Sequence, residues 1–261
     1  MRVINLSSGS DGNLTYIETD NTKILVDDGL SCKETQNRLS LIGVDGSQID
    51  GIVVTHEHND HIKGVDVFSR KYNIPIYAHD EVWAGLYDKL PKVDDKNKKI
   101  FTDTFGIKDL IITPVEVPHD VKCFGFSIAE NDKKISILTD LGHTEDRILN
   151  SVKGSQLVYI EANHDLNMLK NCEKYPLALK MRIAGKNGHL SNDASAEFIG
   201  KLVTTGTRQI VLAHLSKENN TPELAYNYIS SKLADKDLIE GEMFKIDVAL
   251  TRPTTMFKLK K

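Results

Sequence analysis

Ile52-Val53-Val54-Thr55-His56-Glu57-His58-Asn59-Asp60-His61 runs from a β-branched stretch straight into three imidazoles and a carboxylate. A strand ending at Thr55 hands the chain to a tight loop. There the alternation of His56 and His58 turns both rings one way, while Asp60 and His61 turn elsewhere. Only nine histidines occur in 261 residues, so their concentration here marks a site, and imidazole with carboxylate suits zinc-like cations. The segment carries enough ligands for two of them. The alternative is a solvated polar turn.

The same pattern of strand followed by ligand recurs along the chain. Leu14 to Thr19 and Lys23 to Val26 read as a hairpin around Asp20-Asn21, and Asp27-Asp28-Gly29 ends its second strand. Ser31 to Ile42 has helical spacing, with Ser31 as N-cap and Gly43 as stop. A buried strand is predicted over Gly51 to Thr55, a helix over Ile62 to Tyr72 and a strand opening at Pro75-Ile76-Tyr77, followed by a polar connector over Pro91 to Lys99.

Further strands are expected at Leu110 to Thr113, Phe124 to Ala129, Lys134 to Thr139, Leu157 to Ile160, Gln209 to Ala213 and Phe244 to Leu250. Helices are expected at Tyr175 to Ile183, Asp193 to Val203 and Pro222 to Leu233. His119, Asp140 and His214 each stand at the end of an apolar strand. Several strand ends that deliver ligand-type side chains are what a sheet edge needs to build a metal site. Strand-rich halves followed by helices favour two packed sheets covered by helices on both outer faces.

Composition narrows the class. Hydrophobic content is 40% and Gly and Pro are scattered, so a single domain over 1–261 is the simplest account. No segment has the length and apolarity of a secretory signal or a membrane span. Cys32, Cys123 and Cys172 are widely spaced and odd in number, which supports neither a disulfide framework nor a thiolate metal site and points to the reducing cytoplasm. The net charge of −4 does not announce a nucleic-acid binder, because phosphate contacts come from clustered Lys and Arg. Residues 168–188 nevertheless carry Lys170, Lys174, Lys180, Arg182 and Lys186 against the single acid Glu173. This is either a local nucleic-acid surface or an ordinary solvated face.

Taken together, Asp27, the loop His56-Glu57-His58-Asn59-Asp60-His61, His119, Asp140 and His214 resemble, in order, the signature of the metallo-β-lactamase superfamily. The resemblance implies an α/β fold, the αββα four-layer sandwich. It implies two divalent metal ions, one on His56, His58 and His119 and the other on Asp60, His61 and His214. Asp140 would bridge them, with Asp27 orienting the ligands from behind. Histidine and carboxylate without thiolate suit Zn²⁺, Mn²⁺ or Fe²⁺ alike.

Glu161-Ala162-Asn163-His164-Asp165 and Gly188-His189-Leu190-Ser191-Asn192 resemble motifs of tRNase Z and related phosphodiesterases. That resemblance implies that Glu161 positions His189 as the acid that protonates a leaving oxygen, and that His164 contacts phosphate or lies in the outer sphere. Asp60, Glu161 and His189 are thus the candidate catalytic residues. The alternative for His189 is a structural place ahead of a helix, since Ser191-Asn192-Asp193 is good N-cap material.

Together with Ser7-Ser8-Gly9-Ser10-Asp11-Gly12-Asn13 and Leu212-Ala213-His214-Leu215-Ser216-Lys217-Glu218-Asn219-Asn220, these strings are similar to the YycJ (WalJ, VicX) proteins of Gram-positive bacteria. The resemblance implies a 5′-to-3′ exonuclease on double-stranded DNA linked to mismatch repair. Lys180, Arg182 and Lys186 would then line the DNA path. Other readings are hydrolysis of RNA or of a small phosphodiester or thioester, and a metal-stabilised regulatory protein of a cell-wall two-component system.

Overall fold

The computed structural model describes residues 1–251 and 255–259. The chain divides into two compact units, one of residues 1–114 and 128–130 with the described part of 250–261, the other of residues 115–127 and 131–249.

The strands are β1 (Arg2–Ser7), β2 (Leu14–Glu18), β3 (Lys23–Val26), β4 (Gly51–Val53), β5 (Ile76–His79), β6 (Lys98–Phe101), β7 (Phe105–Ile107), β8 (Leu110–Val117), β9 (Cys123–Glu130), β10 (Lys133–Leu138), β11 (Leu157–Glu161), β12 (Gln209–Ala213), β13 (Lys245–Val248) and β14 (Thr255–Lys258). The helices are α1 (Cys32–Leu41), α2 (Asn59–Ile62), α3 (Val65–Tyr72), α4 (Asp80–Leu86), α5 (Asp146–Val152), α6 (Leu166–Asn171), α7 (Leu177–Ile183), α8 (Asn192–Thr204) and α9 (Pro222–Ala234).

Two seven-stranded sheets result, in the orders β14-β1-β2-β3-β4-β5-β6 and β13-β12-β11-β10-β9-β8-β7. In the first, β1 to β3 are antiparallel and β3 to β6 parallel. In the second, β10 to β13 are parallel, which requires the helical crossovers that the chain supplies between them. The inner parallel strands β3, β4, β5, β10, β11 and β12 are buried along most of their length, and the core of the second unit gathers Leu138, Val158, Ile160, Ile210 and Leu212 with Phe198 and Leu202 of α8 and Ile229 of α9. Parallel strands with buried faces leave their carboxyl ends as the place for chemistry.

The hairpin of β2 and β3 and helix α1 fall where the sequence puts them, with the Ser31 side chain capping α1 and Gly43 in the left-handed region at φ 76°. The single helix expected over Ile62 to Tyr72 is instead α2 and α3, broken at Gly64. The Gly64 amide donates to Asp28 O at 2.8 Å instead of to a helical carbonyl, and a Cβ there would lie 2.5 Å from the Asp28 carboxylate, so only glycine fits at the break. Strand β8 continues through Pro114, where the sequence suggested a stop. The expected connector over Pro91 to Lys99 closes into β6, and β1, β14 and α4 have no counterpart in the sequence reading.

Candidate metal centre and proton donor

Asp27, Asp140 and His214 follow β3, β10 and β12, and all three adopt left-handed backbone angles, at φ 60°, 58° and 56°. Non-glycine residues enter this region seldom, and such strain clusters where a side chain must be aimed. The repetition at three strand ends marks these residues as a presented set.

In the first unit the histidine loop is built around Asp27. Its Oδ1 accepts from the Thr55 amide at 2.9 Å and its Oδ2 accepts from the Thr55 hydroxyl at 2.9 Å. Oδ2 also lies 2.7 Å from His61 Nδ1. The Thr55 hydroxyl is 3.0 Å from His56 Nδ1. With Nδ1 engaged, Nε2 is the nitrogen that these two rings offer to a cation. The rings of His56 and His58 are 4.7 Å apart, and those of His56 and His61 are 4.2 Å apart.

Backbone bonds close the loop from behind. Asn13 N donates to Asp60 O at 2.8 Å, Gly29 N to Asn13 O at 2.9 Å and Asp28 N to His61 O at 2.8 Å. Gly29 is required at this crossing, since its Cβ would meet Asp60 O at 1.7 Å. Glu57 belongs to scaffolding: its carbonyl accepts from Lys89 Nζ at 2.9 Å, and its carboxylate packs where a Cβ on Gly85 would sit. Asp28 is fully buried; burial pushes its carboxyl up to about 7 against the pull of the Thr35 hydroxyl and the Leu30 amide.

In the second unit the centre of the arrangement is Glu161, fully buried at the end of β11. Its Oε1 lies 2.8 Å from His189 Nδ1 and 2.7 Å from His214 Nδ1. Its Oε2 accepts the Leu141 and Leu190 amides at 3.0 and 3.1 Å. Asp140 Oδ1 is 3.5 Å from His214 Nε2 and 3.7 Å from His189 Nδ1. His119 Nδ1 lies 3.3 Å from the Gly188 carbonyl. Burial alone would raise the Glu161 carboxyl, but the charges and hydrogen bonds of His189 and His214 outweigh it and hold the group well below the usual carboxylate range. Burial likewise opposes a charge on His189, yet Glu161 more than compensates and its pKa is raised. Ser191, not His189, caps α8 through its hydroxyl.

The structure thus brings together Asp27, His56, His58, Asp60 and His61 in one unit and His119, Asp140, Glu161, His189 and His214 in the other. Thr55 and Asn13 were not singled out in the sequence; Asn13 Nδ2 sits 3.0 Å from His61 Nε2, and its place in a Gly-Ser loop was the available clue. Of the basic candidates, Lys180 donates to the Lys170 carbonyl at 2.8 Å, Arg182 pairs through Nε with Asp120 at 2.9 Å, and Lys186 is exposed.

His164 is 1% exposed, and neither ring nitrogen has a hydrogen-bond partner among the described residues. A direct contact with phosphate is closed to it in this conformation. Burial lowers its pKa from 6.5 to about 4. The unfolded chain therefore takes up the proton first as pH falls, so the associated stability is full above pH ~6.5 and drains as pH falls toward ~4, by about 3 kcal/mol. His164→Leu should be neutral or stabilising at pH 7, because it removes buried polar atoms that lack partners, and should flatten that slope. Urea unfolding of metal-free wild-type and variant protein at pH 7 and pH 4.5 measures it; parallel pH dependences would contradict the assignment.

The donor set fits divalent cations of the zinc type: imidazoles and carboxylates, several rings oriented through Nδ1 by Thr55, Asp27 or Glu161, and no thiolate. Within the second unit, Asp140 Oδ1 lies 3.5 Å from His214 Nε2, with polar atoms of Glu161 and His189 beside them, all within 4.8 Å of one another.

Solved structures define the fold class. The chain aligns over 98% of its length, and 98% of the other's, with the metallo-β-lactamase fold protein YhfI from Bacillus subtilis, at TM-score 0.73 and 14% identity. It aligns with the short form of human tRNase Z over 100% of both chains, at TM-score 0.66 and 17% identity. These show the αββα metallo-β-lactamase fold alone. The model of the β-lactamase superfamily domain matches residues 22–215, and the chain belongs to the metallo-β-lactamase superfamily as a YycJ/WalJ-type protein. It is 41% identical to exodeoxyribonuclease WalJ of Streptococcus pneumoniae serotype 2 (strain D39), over 92% of this chain and 91% of that protein. To exodeoxyribonuclease YycJ of Bacillus anthracis it is 37% identical, over 92% of both. The chain is a metal-dependent hydrolase. No helix among the described residues is long and apolar enough to cross a membrane.

Proposed function

We propose that this hydrolase is a binuclear metal phosphodiesterase acting on DNA, a 5′-to-3′ exonuclease on double strands that works in the cytoplasm in mismatch repair. The observation that carries the phosphodiesterase reading is the Glu161 to His189 bond at 2.8 Å. A site that only held metal for stability would have no use for a histidine poised to give up a proton, and His189, 22% exposed at its side chain, is the accessible partner of a fully buried carboxylate. The relatives' names, both exodeoxyribonucleases, favour DNA over RNA or a small phosphodiester.

In this reading His56, His58 and His119 would hold one cation and Asp60, His61 and His214 the other, with Asp140 available to both. When bound, the cations supply Lewis acidity toward a phosphoryl oxygen and activate water. Asp27 and Thr55 fix the donor rings of the histidine loop. Glu161 carries the other end of the chemistry: with Oε2 fixed by two backbone amides, Oε1 sets the tautomer and aim of His189, leaving Nε2 to protonate the departing oxygen.

The test is purified protein loaded with Mn²⁺ or Zn²⁺ and presented with end-labelled duplex DNA, single-stranded DNA and RNA. Nucleotides released in sequence from the 5′ end of the duplex are expected. Cleavage confined to RNA, or none on any polymer, would overturn the reading in favour of an RNA or small-molecule hydrolase or of the regulatory role.

Lys180, Arg182 and Lys186 border this site in sequence and supply its cationic groups. Their joint replacement by Ala should weaken DNA binding and shallow the salt dependence by roughly one unit for each phosphate left without its cation. An unchanged slope in fluorescence-anisotropy titrations from low to high salt would return the stretch to an ordinary solvated surface.

A further inference from the structure

Helix α7 contains no buried residue. Its outward side carries Leu177 and Met181, 72% and 67% exposed, one helical turn apart. Four-residue spacing also places Leu179 and Ile183 on a common side of the helix, and together with Tyr175, which precedes the helix, they line a cleft of about 180 Å³ with Arg182, Asn187, His119 and His189. An amphipathic helix normally buries one stripe against the core. Here the inner stripe is only half-buried and faces a cleft that also touches the proposed proton donor.

The volume is well below the roughly 300–1,000 Å³ of sites for drug-sized molecules, and suits a single planar ring system. Its wall on the α7 side is apolar, and the Arg182 side chain, 63% exposed, stays open to the DNA backbone. The cation in the lining, Arg182, is paired with Asp120, whereas Tyr175, Leu179 and Ile183 offer an aromatic face and apolar edges. The Asn187 amide and the Arg182–Asp120 pair supply the donors and acceptors that read a base edge.

The cleft is fixed relative to His189 by backbone packing. His189 N donates to Ile183 O at 2.9 Å, and a Cβ on Gly188 would lie 2.1 Å from that same carbonyl. Only glycine permits this approach, so the last turn of α7 and the His189 backbone move together.

We propose that the cleft is a nucleobase subsite, in which Tyr175 stacks on the base next to the leaving oxygen that His189 protonates. The proposal rests on the phosphodiesterase reading above. It assigns α7 a task in substrate placement: the stacked base brings its own phosphodiester into register with His189. Leu177 and Met181 then continue the apolar surface outward for the neighbouring base.

The experiment compares metal-loaded wild type, Tyr175→Ala and Tyr175→Phe on duplex DNA with either a normal nucleotide or a tetrahydrofuran abasic unit at the position whose sugar carries the leaving oxygen. A stacked base is worth about 5- to 150-fold. Wild type and Tyr175→Phe should prefer the normal substrate by that factor in kcat/KM, and Tyr175→Ala should treat the two alike. Calorimetric titration with dAMP and with deoxyribose 5-phosphate gives a readout independent of turnover, in which the same preference should appear and vanish in Tyr175→Ala. DNA cleavage without discrimination against the abasic unit overturns the subsite and leaves the nuclease reading standing. Tyr175-dependent preference for dAMP without hydrolysis of any DNA overturns the nuclease reading and leaves the subsite. Absence of both removes both.

Discussion

Asp140→Ala is expected to leave purification with most of its divalent metal gone from both positions. Asp140 is 2% exposed, stands in a left-handed conformation at φ 58° and places Oδ1 3.5 Å from His214 Nε2. It is the one carboxylate that the proposed assignment makes common to the two cations. The comparison is Asp27→Asn, which disturbs hydrogen bonds to Thr55 and to the His61 ring without removing a proposed ligand. Loss of such an outer hydrogen bond costs roughly 10- to 100-fold in metal affinity, and Asp140→Ala should exceed this at both positions. Metal analysis after gel filtration, with circular dichroism to establish folding, decides it. Two equivalents retained would remove Asp140 from the bridge, and loss of one alone would make it a terminal ligand.

The candidate ligands are legible in the local sequence because metal chemistry needs particular residue types at strand ends, and both can be read from one chain. His56, His58 and Asp60 stand out by spacing, and His119, Asp140 and His214 by the apolar runs before them. Partners recruited from distant segments were not legible. Nothing near Thr55 announces that its hydroxyl will sit 2.9 Å from Asp27 Oδ2, 28 residues earlier in the chain. Asn13 reaches His61 only because Gly29 lets two backbones cross. The break between α2 and α3 has the same origin, since the Gly64 amide bonds to Asp28 O, a tertiary contact in place of a helical one. Strand β1 is defined by its pairing with β2 and β14 rather than by a local alternation, and β8 runs through Pro114 although proline usually interrupts a strand. The family resemblance supplied the pairing of Glu161 with His189, and the structure shows its physical form: one carboxylate oxygen shared by two imidazoles and the other held by two amides.

That arrangement allows the roles of metal and proton donor to be separated. His189→Ala should keep its metal content and much of its DNA affinity while turnover falls about 10²- to 10⁴-fold, the usual worth of a positioned general acid. Glu161→Gln should show a weaker version of the same defect. Its amide still spans the position between His189 and His214, but it no longer carries the charge that raises the His189 pKa. Because Glu161 also meets His214 Nδ1 at 2.7 Å, metal content must be measured on this variant before its rate is interpreted. The discriminating substrate is an activated aryl phosphodiester, whose leaving group departs without a proton. His189→Ala should cleave it at nearly the wild-type rate while failing on DNA. Equal losses on both substrates, with metal still bound, would show that His189 acts on something other than the leaving oxygen, and the Glu161 pair would then be a structural support for His214.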